Sequence, residues 1–316
     1  NDDLRERHPL GRVGLAGGAT LEYDYLMDAV GSTAAVSPVP GAREFAYPIA
    51  ELEEAQRLTG ALAELPDSAP VCVVGAGPTG LETAAELAEA GRVVTLVCGS
   101  VLGPYFREPA RKASAKRLRK LGTQIIEGDG ATVVEVHADE VVLADGRRIP
   151  SRVTIWTAGF GVPDLAKSSG LRTDSVGRLL TDETLTSLDD ARIIAAGDAA
   201  SPSGAPLRMS CQAATPLGAQ AADTVLARIG GTAPAPINQA FTGECVSLGR
   251  HGGVIQIARP DDTALPLYIG GRAAATVKEA VCKATVSFMR REARKPGSLF
   301  WFKGGRRDVS EPAVAP

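Results

Sequence analysis

Residues 71–98 read VCVVGAGPTGLETAAELAEAGRVVTLVC, and the order of their parts decides the fold. The apolar run VCVV (71–74) predicts a buried strand, GAGPTG (75–80) a glycine loop, LETAAELAEA (81–90) a helix stopped at Gly91, and VVTLVC (93–98) a second strand. Strand, loop, helix and strand make a βαβ unit. The loop fits G-x-G-x-x-G with Gly75, Gly77 and Gly80. The first glycine allows the tight turn, the second lets the backbone approach a pyrophosphate, and the third lets the helix pack closely on the strand. Phosphates would sit on the positive end of a helix that begins near Thr79. Gly75, Gly77, Pro78, Thr79 and Gly80 are therefore the candidate cofactor-binding set.

The helix places Leu81, Ala84, Ala85 and Ala88 on one packing face and Glu82, Glu86 and Glu89 on the other. Glu86 and Glu89 read as a solvated stripe. Glu82 differs, because it lies in the first turn, beside the expected cofactor and near the positive end of the helix dipole. It is the candidate catalytic residue. The acidic residue that accepts the adenosine ribose hydroxyls about 20 positions after such a loop is missing, since the second strand ends at Cys98, followed by Gly99 and Ser100. Selection against a 2′-phosphate is then weak. The basic run from Arg107 to Lys120 reads either as a solvated helix face or as a partner for that phosphate, and NADH and NADPH both stay open.

Outward from this unit, residues 12–30 predict two short strands around a Gly-Gly turn and a buried apolar run. Residues 38–48, with three prolines, predict a crossover, and 49–65 a helix stopped by Pro66. Residues 107–121 predict a basic helix, 131–157 strands around an ADGR turn, and IIAAGDAA (193–200) a strand running into a loop. Helices are expected over 212–229 and near 274–294, with a boundary at the proline-rich TAPAP (232–236).

The chain has 316 residues, 44% hydrophobic and 22% charged, which at roughly 150 residues per domain suits about two globular domains. That composition excludes a disordered chain or a disulfide-stapled miniprotein. A formal charge of −3 gives no electrostatic case for nucleic acid. No stretch approaches the ~18 apolar residues of a membrane span, and the polar start NDDLRERHPL has no signal-peptide core. The five cysteines (Cys72, Cys98, Cys211, Cys245, Cys282) lack CxxC spacing, which points to reduced thiols in a cytoplasm and excludes a sequence-local redox pair or zinc ribbon. His8, His137 and His251 read as ordinary surface residues.

Four segments, YDYLMDAVGS (23–32), VCVVGAGPTGLETAAELAEAG (71–91), TIWTAGF (154–160) and IIAAGDAA (193–200), occur in this order in two-dinucleotide flavoproteins. Over about residues 10–230 the chain resembles the pyridine nucleotide:FAD oxidoreductases, most closely the branch of type II NADH dehydrogenases and ferroptosis-suppressor-like quinone reductases. The resemblance implies an enzyme in which NAD(P)H binds at Gly75–Gly80 and reduces FAD, which then serves a quinone or small electron carrier. It implies that Gly197 and Asp198 meet the flavin's ribityl or pyrophosphate region, that Gly31 and Ser32 lie at the FAD end of the first domain, and that Gly159 and Phe160 flank the nicotinamide. Glu82 would then lie near the nicotinamide–flavin junction.

Two departures stand out. In CQAATPLG (211–218), Gln212, Ala214 and Gly218 match the segment that lines the quinone site in type II dehydrogenases, while Pro216 and Leu217 stand where glutamines are expected. The chain also opens at Asn1, just ahead of a hairpin that family members reach after an FAD-binding βαβ section on the order of 70 residues long. A ferredoxin- or rubredoxin-type reductase and a truncated, non-catalytic dinucleotide-binding protein remain alternatives.

Residues 286–307, VSFMRREARKPGSLFWFKGGRR, hold seven Lys/Arg against one Glu around Phe300-Trp301-Phe302. This pattern suits a peripheral contact at the inner face of a membrane, or aromatics packed into a core or a homodimer interface. The expected fold is α/β with two Rossmann-like dinucleotide-binding domains. An incomplete FAD domain spans 1–66 and 157–235, an inserted NAD(P) domain 67–156, and a small α+β interface domain 236–316.

Overall fold

A computed structural model describes residues 11–305 and 307. The Asn1 start, His8 and the end of the 236–316 segment lie outside the described residues. The chain has a mixed α/β fold that divides into two compact units, 11–32 with 162–239 and 307, and 33–161 with 240–305.

The second unit is built on a five-stranded parallel sheet in the order Ala46–Pro48, Val153–Trp156, Pro70–Val74, Val93–Val97, Gln124–Ile126. Strands buried on both faces read as continuous apolar runs, and VCVV is one. Val71 and Val73 face a core with Leu81, Ala84, Ala85 and Leu118, while Cys72 and Val74 face another with Ala131, Val133 and Val141. The fingerprint helix runs Pro78–Glu89 with Gly77 as its N-cap. Pro78 at the first helical position costs no hydrogen bond, because that N–H has no partner within a helix in any case. The segment 38–48, expected as a bare crossover, contains the short helix Ala42–Phe45 and the edge strand Ala46–Pro48.

The C-terminal segment forms a three-stranded antiparallel sheet, Gly243–Ser247, Gly253–Ala258 and Ala264–Gly270, followed by the helix Gly271–Arg294. Val246, Leu248 and Val254 share the core of Leu81 and Ala85. The contact grouping thus differs from the three-part division drawn from the sequence. Residues 33–66 join the parallel sheet through the pairing of Ala46–Pro48, and 240–305 join it by sharing its core, instead of standing apart.

The glutamate stripe also departs from expectation. Glu89 pairs with Arg117 at 2.9 Å and accepts the Arg250 backbone N–H at 2.5 Å, and Glu86 lies 3.4 Å from Arg250. Residues one and two helical turns after Glu82 fall on one helix face, and the turn around Arg250 meets that face, half-burying Glu89 and leaving Glu86 43% exposed.

In the first unit, parallel pairs join Leu26–Asp28 to Ile193–Ala195 and Leu179–Thr181 to Ala200–Pro202. The helix Cys211–Ile229 is capped by Ser210, whose hydroxyl accepts the Ala213 N–H, and carries Pro216 in its interior. Proline removes the hydrogen bond to the carbonyl four residues back, which is that of Gln212. The Gln239 side-chain amide donates to that carbonyl at 3.2 Å instead.

Candidate nucleotide and flavin sites

The three loop glycines meet different surroundings. At Gly75 (φ +115°) an added Cβ would lie 2.6 Å from Thr157 Oγ1, and at Gly80 one would lie 1.9 Å from the Gly75 carbonyl oxygen. Gly77 has no atom within 4 Å of that position. Two glycines are therefore required by packing, while the middle one leaves its approach open. Thr157, which the motif reading passed over, donates its hydroxyl to the carbonyls of Val74 (2.9 Å) and Gly75 (3.3 Å). It ties the neighbouring strand end to the loop. The Ala76 carbonyl accepts the Gly103 N–H at 3.1 Å and the Gly75 N–H reaches the Val97 carbonyl at 2.9 Å, so the loop is held from both sides. Thr79 lies in the first turn of the helix.

Glu82, expected in the first turn, lies just past it, because the helix already begins at Pro78. Its Oε1 accepts the Ser247 backbone N–H at 2.9 Å and lies 3.2 Å from Lys278 Nζ. Burial works to lower the Lys278 pKa, but Glu82, with Cys245 and Cys282 nearby, outweighs it and holds the ammonium above the ordinary lysine value. Ser247 and Lys278 are some 165 and 196 positions away in sequence, and no local pattern marked them. The carbonyl of Gly159 (φ +96°) accepts the Ala35 N–H at 3.5 Å, and Phe160 pairs with Ala34 in a short antiparallel bridge and is 44% exposed.

Cys98, expected to end the second strand, lies one residue past it, since the strand is Val93–Val97. Burial, with Glu127 adding to it, pushes its thiol up to about 12, and burial alone does the same at Cys72. Both stay protonated near neutrality and are poor nucleophiles. The arginines of the basic helix Glu108–Lys120 and its N-cap are largely committed. Arg107 donates to the Ala264 carbonyl, Arg111 to those of Leu102 and Phe106, and Arg117 to Leu248 and Glu89.

In the other unit, Ser32 Oγ donates to Asp198 Oδ2 at 2.8 Å. Asp198 Oδ1 is buried without a partner among the described residues. Asp198 follows Gly197 (φ +66°), where an added Cβ would stand 3.5 Å from that of Ala214. Gly31 (φ +71°) has open space around it, and Gln212 lies in the first turn of the proline-containing helix. Asp28, at the end of the strand that leads to Gly31, is buried, and burial raises its carboxyl above the usual range against an opposing backbone hydrogen bond from Val30. Each unit thus gathers its own set. Gly75, Gly77, Pro78, Thr79, Gly80, Glu82, Cys98, Gly159 and Phe160 belong to one, and Gly31, Ser32, Gly197, Asp198 and Gln212 to the other.

A family model described as pyridine nucleotide-disulphide oxidoreductase matches residues 5–218. Among curated proteins, an NADH dehydrogenase-like protein of Mycobacterium tuberculosis is 30% identical over 236 residues, covering 68% of this chain and 58% of that protein. A type II NADH:quinone oxidoreductase of the same species is 30% identical over 210 residues, covering 58% of this chain and 45% of that protein. The chain spans about half the length of the curated relatives it matches. Among solved structures, an NDH2 from Plasmodium falciparum in complex with NADH superposes with a TM-score of 0.69 at 14% identity, over 91% of this chain and 81% of that one. A ferredoxin reductase from Rhodopseudomonas palustris gives 0.64 at 24% identity, over 78% and 61%. Both show the same fold.

Proposed function

We infer the function from one premise: the chain belongs to the pyridine nucleotide-disulphide oxidoreductase family. On that premise we propose an FAD-dependent NAD(P)H oxidoreductase that delivers electrons to a quinone. The observation that carries this reading is the loop at Gly75–Gly80, in which packing locks the outer glycines and Gly77 alone faces open space. A pyrophosphate can approach the backbone there, at the positive end of the helix Pro78–Glu89. Gly159 and Phe160 flank the nicotinamide in this reading. Glu82, fixed by Ser247 and Lys278, keeps a carboxylate of set orientation beside it.

The residues of the other unit fit a flavin. Asp198 offers a buried acceptor without a partner among the described residues, steadied by Ser32, and Gly31 leaves the backbone approachable. Asp198, Ser32, Gly31, Gly197 and Gln212 would hold FAD, which when bound would supply hydride acceptance and onward electron transfer. No disulfide joins cysteines among the described residues, and Cys72 and Cys98 are protonated by burial, so a dithiol acceptor is the less favoured reading. The decisive experiment is anaerobic addition of NADH to the purified chain. We expect a visible flavin band that bleaches with NADH and recovers with a quinone. A colourless chain that binds NADH and takes up no FAD favours the non-catalytic alternative. Recovery with ferredoxin or rubredoxin but not quinone favours the carrier-protein alternative.

A quinone acceptor suits the C-terminal surface. Among the described residues no helix is long and apolar enough to cross a membrane. The helix Gly271–Arg294, however, exposes Val281, Phe288 and Met289, and Phe300 (74% exposed) and Phe302 (58%) follow it. Arg290, Arg291, Arg294, Lys295 and Lys303 lie among them in the sequence. Exposed aromatics among cations support peripheral attachment at the inner membrane face. Replacing Phe300 and Phe302 by serine should weaken binding to anionic liposomes, read by co-sedimentation, by about a hundredfold, since each buried phenylalanine contributes roughly 1.5 kcal/mol or more. Unchanged sedimentation removes the membrane role. A concentration-dependent dimer that the double variant abolishes assigns the surface to a homodimer.

A further inference from the structure

The strand Val93–Val97 is followed by Cys98 and brings no carboxylate to the place where an adenosine ribose is held in folds of this type. The adjacent parallel strand supplies one. The register pairs Val97 with Ile126, and the Cys98 N–H donates to the Ile126 carbonyl at 2.8 Å. Glu127 therefore stands beside Cys98, one strand over, a separation of about 4.8 Å that a glutamate side chain easily crosses.

The side chain does cross it. Glu127 Oε2 accepts the Leu102 backbone N–H at 2.8 Å, so the carboxylate lies against the loop that follows Cys98. The two loops are also joined by backbone, since the Gly128 N–H donates to the carbonyls of Gly99 (3.0 Å) and Ser100 (3.2 Å). The residue is exposed, and Oε1 has no hydrogen-bond partner among the described residues. Added Cβ atoms at Gly99 and Gly128 would meet nothing within 4 Å, so the surface beside the carboxylate is open.

Three cations at the start of the basic helix are engaged. Arg107 donates through Nε to the Ala264 carbonyl, and Arg111 donates to those of Leu102 and Phe106. Lys112 pairs with Glu108 at 2.6 Å.

We propose that Glu127 replaces the missing strand-end carboxylate, accepting hydrogen bonds from the adenosine ribose hydroxyls and repelling a 2′-phosphate, so that the site selects NADH over NADPH. The assignment rests on the dinucleotide reading of the Gly75–Gly80 loop. A ribose diol donates two hydrogen bonds that an ionised carboxylate accepts, whereas a 2′-phosphate brings a second negative charge against the first. Cys98 adds no charge of its own, because burial keeps its thiol protonated.

The test is equilibrium binding, read by nicotinamide fluorescence and independent of turnover. The purified chain should bind NADH about tenfold or more tightly than NADPH, and Glu127→Gln should bring that ratio close to one, largely by strengthening NADPH. Asp129→Asn, which changes a nearby exposed acid, should leave the ratio unchanged. Glu127→Gln combined with Cys98→Glu should restore the preference for NADH, which separates a lost charge from a damaged loop. A Gln variant that keeps the parent ratio overturns the assignment, as does a parent chain that prefers NADPH. Binding of neither dinucleotide by the parent chain instead refutes the loop reading beneath it.

Discussion

Replacing Gly80 by alanine is expected to destabilise the nucleotide-binding unit by about 2–3 kcal/mol, the range for forcing atoms into a well-packed site. The added Cβ would lie 1.9 Å from the Gly75 carbonyl oxygen and 2.7 Å from Thr157 Oγ1. The first is backbone, so the helix must move off the strand. The same change at Gly77 meets no atom within 4 Å, and its φ of −73° suits alanine. Its cost should be about 0.5–1 kcal/mol, from a poorer N-cap. Thermal unfolding of the two variants separates these values. Equal loss of stability at both sites would contradict the division between packing and open glycines.

The second large effect is expected at the Glu82–Lys278 pair. Glu82→Ala removes the acceptor of the Ser247 N–H and the counter-ion of a mostly buried ammonium. A loss of about 1–3 kcal/mol follows from leaving such groups unpaired. With Glu82 gone, the desolvation that Glu82 now outweighs would push the Lys278 pKa down, making its charge sensitive to mild alkali. In the parent chain the pKa is raised on folding. The stability it contributes is thus present below the unfolded lysine value, near 10.4, and is lost as pH rises through the folded value. In the proposed reaction, loss of a fixed carboxylate beside the nicotinamide should slow flavin reduction by about 10²-fold, as misplaced groups commonly do. Glu82→Gln keeps an acceptor for Ser247 but not the counter-ion of Lys278, so it should retain part of the stability while still slowing reduction. Anaerobic stopped-flow reduction and thermal unfolding of the Ala and Gln variants check both halves. A Gln variant that reduces its flavin at the parent rate would remove Glu82 from the chemistry.

Much of this fold was legible because its decisive features are local. The run VCVV, the three glycines and the spacing of Leu81, Ala84, Ala85 and Ala88 carry the βαβ unit within some 28 residues, and each acts through nearest neighbours. What sequence could not carry was set by long-range packing. Glu86 and Glu89 look like a solvated stripe because their cover, the turn around Arg250, comes from the far end of the chain. Lys278 and Ser247 reach Glu82 only after the C-terminal sheet docks. Ala46–Pro48 is too short and too rich in proline nearby to read as a strand, yet it pairs along Val153–Trp156. Pro216 was visible as an oddity, but its remedy, the Gln239 amide on the Gln212 carbonyl, depends on a fold-back that no local pattern encodes. Glu127 is the same kind of case. The carboxylate missing after one strand becomes apparent on its neighbour only once the register of the sheet is known.

The central claim is that the Gly75–Gly80 loop seats a dinucleotide pyrophosphate against the backbone of Gly77. A titration of NADH onto the parent chain and onto Gly77→Ala, at a temperature where both are folded, tests it most directly. The account predicts saturable binding by the parent chain and a loss of about tenfold or more in affinity for the variant, because a methyl group then occupies the approach to the backbone. Equal affinity in the two proteins would contradict it.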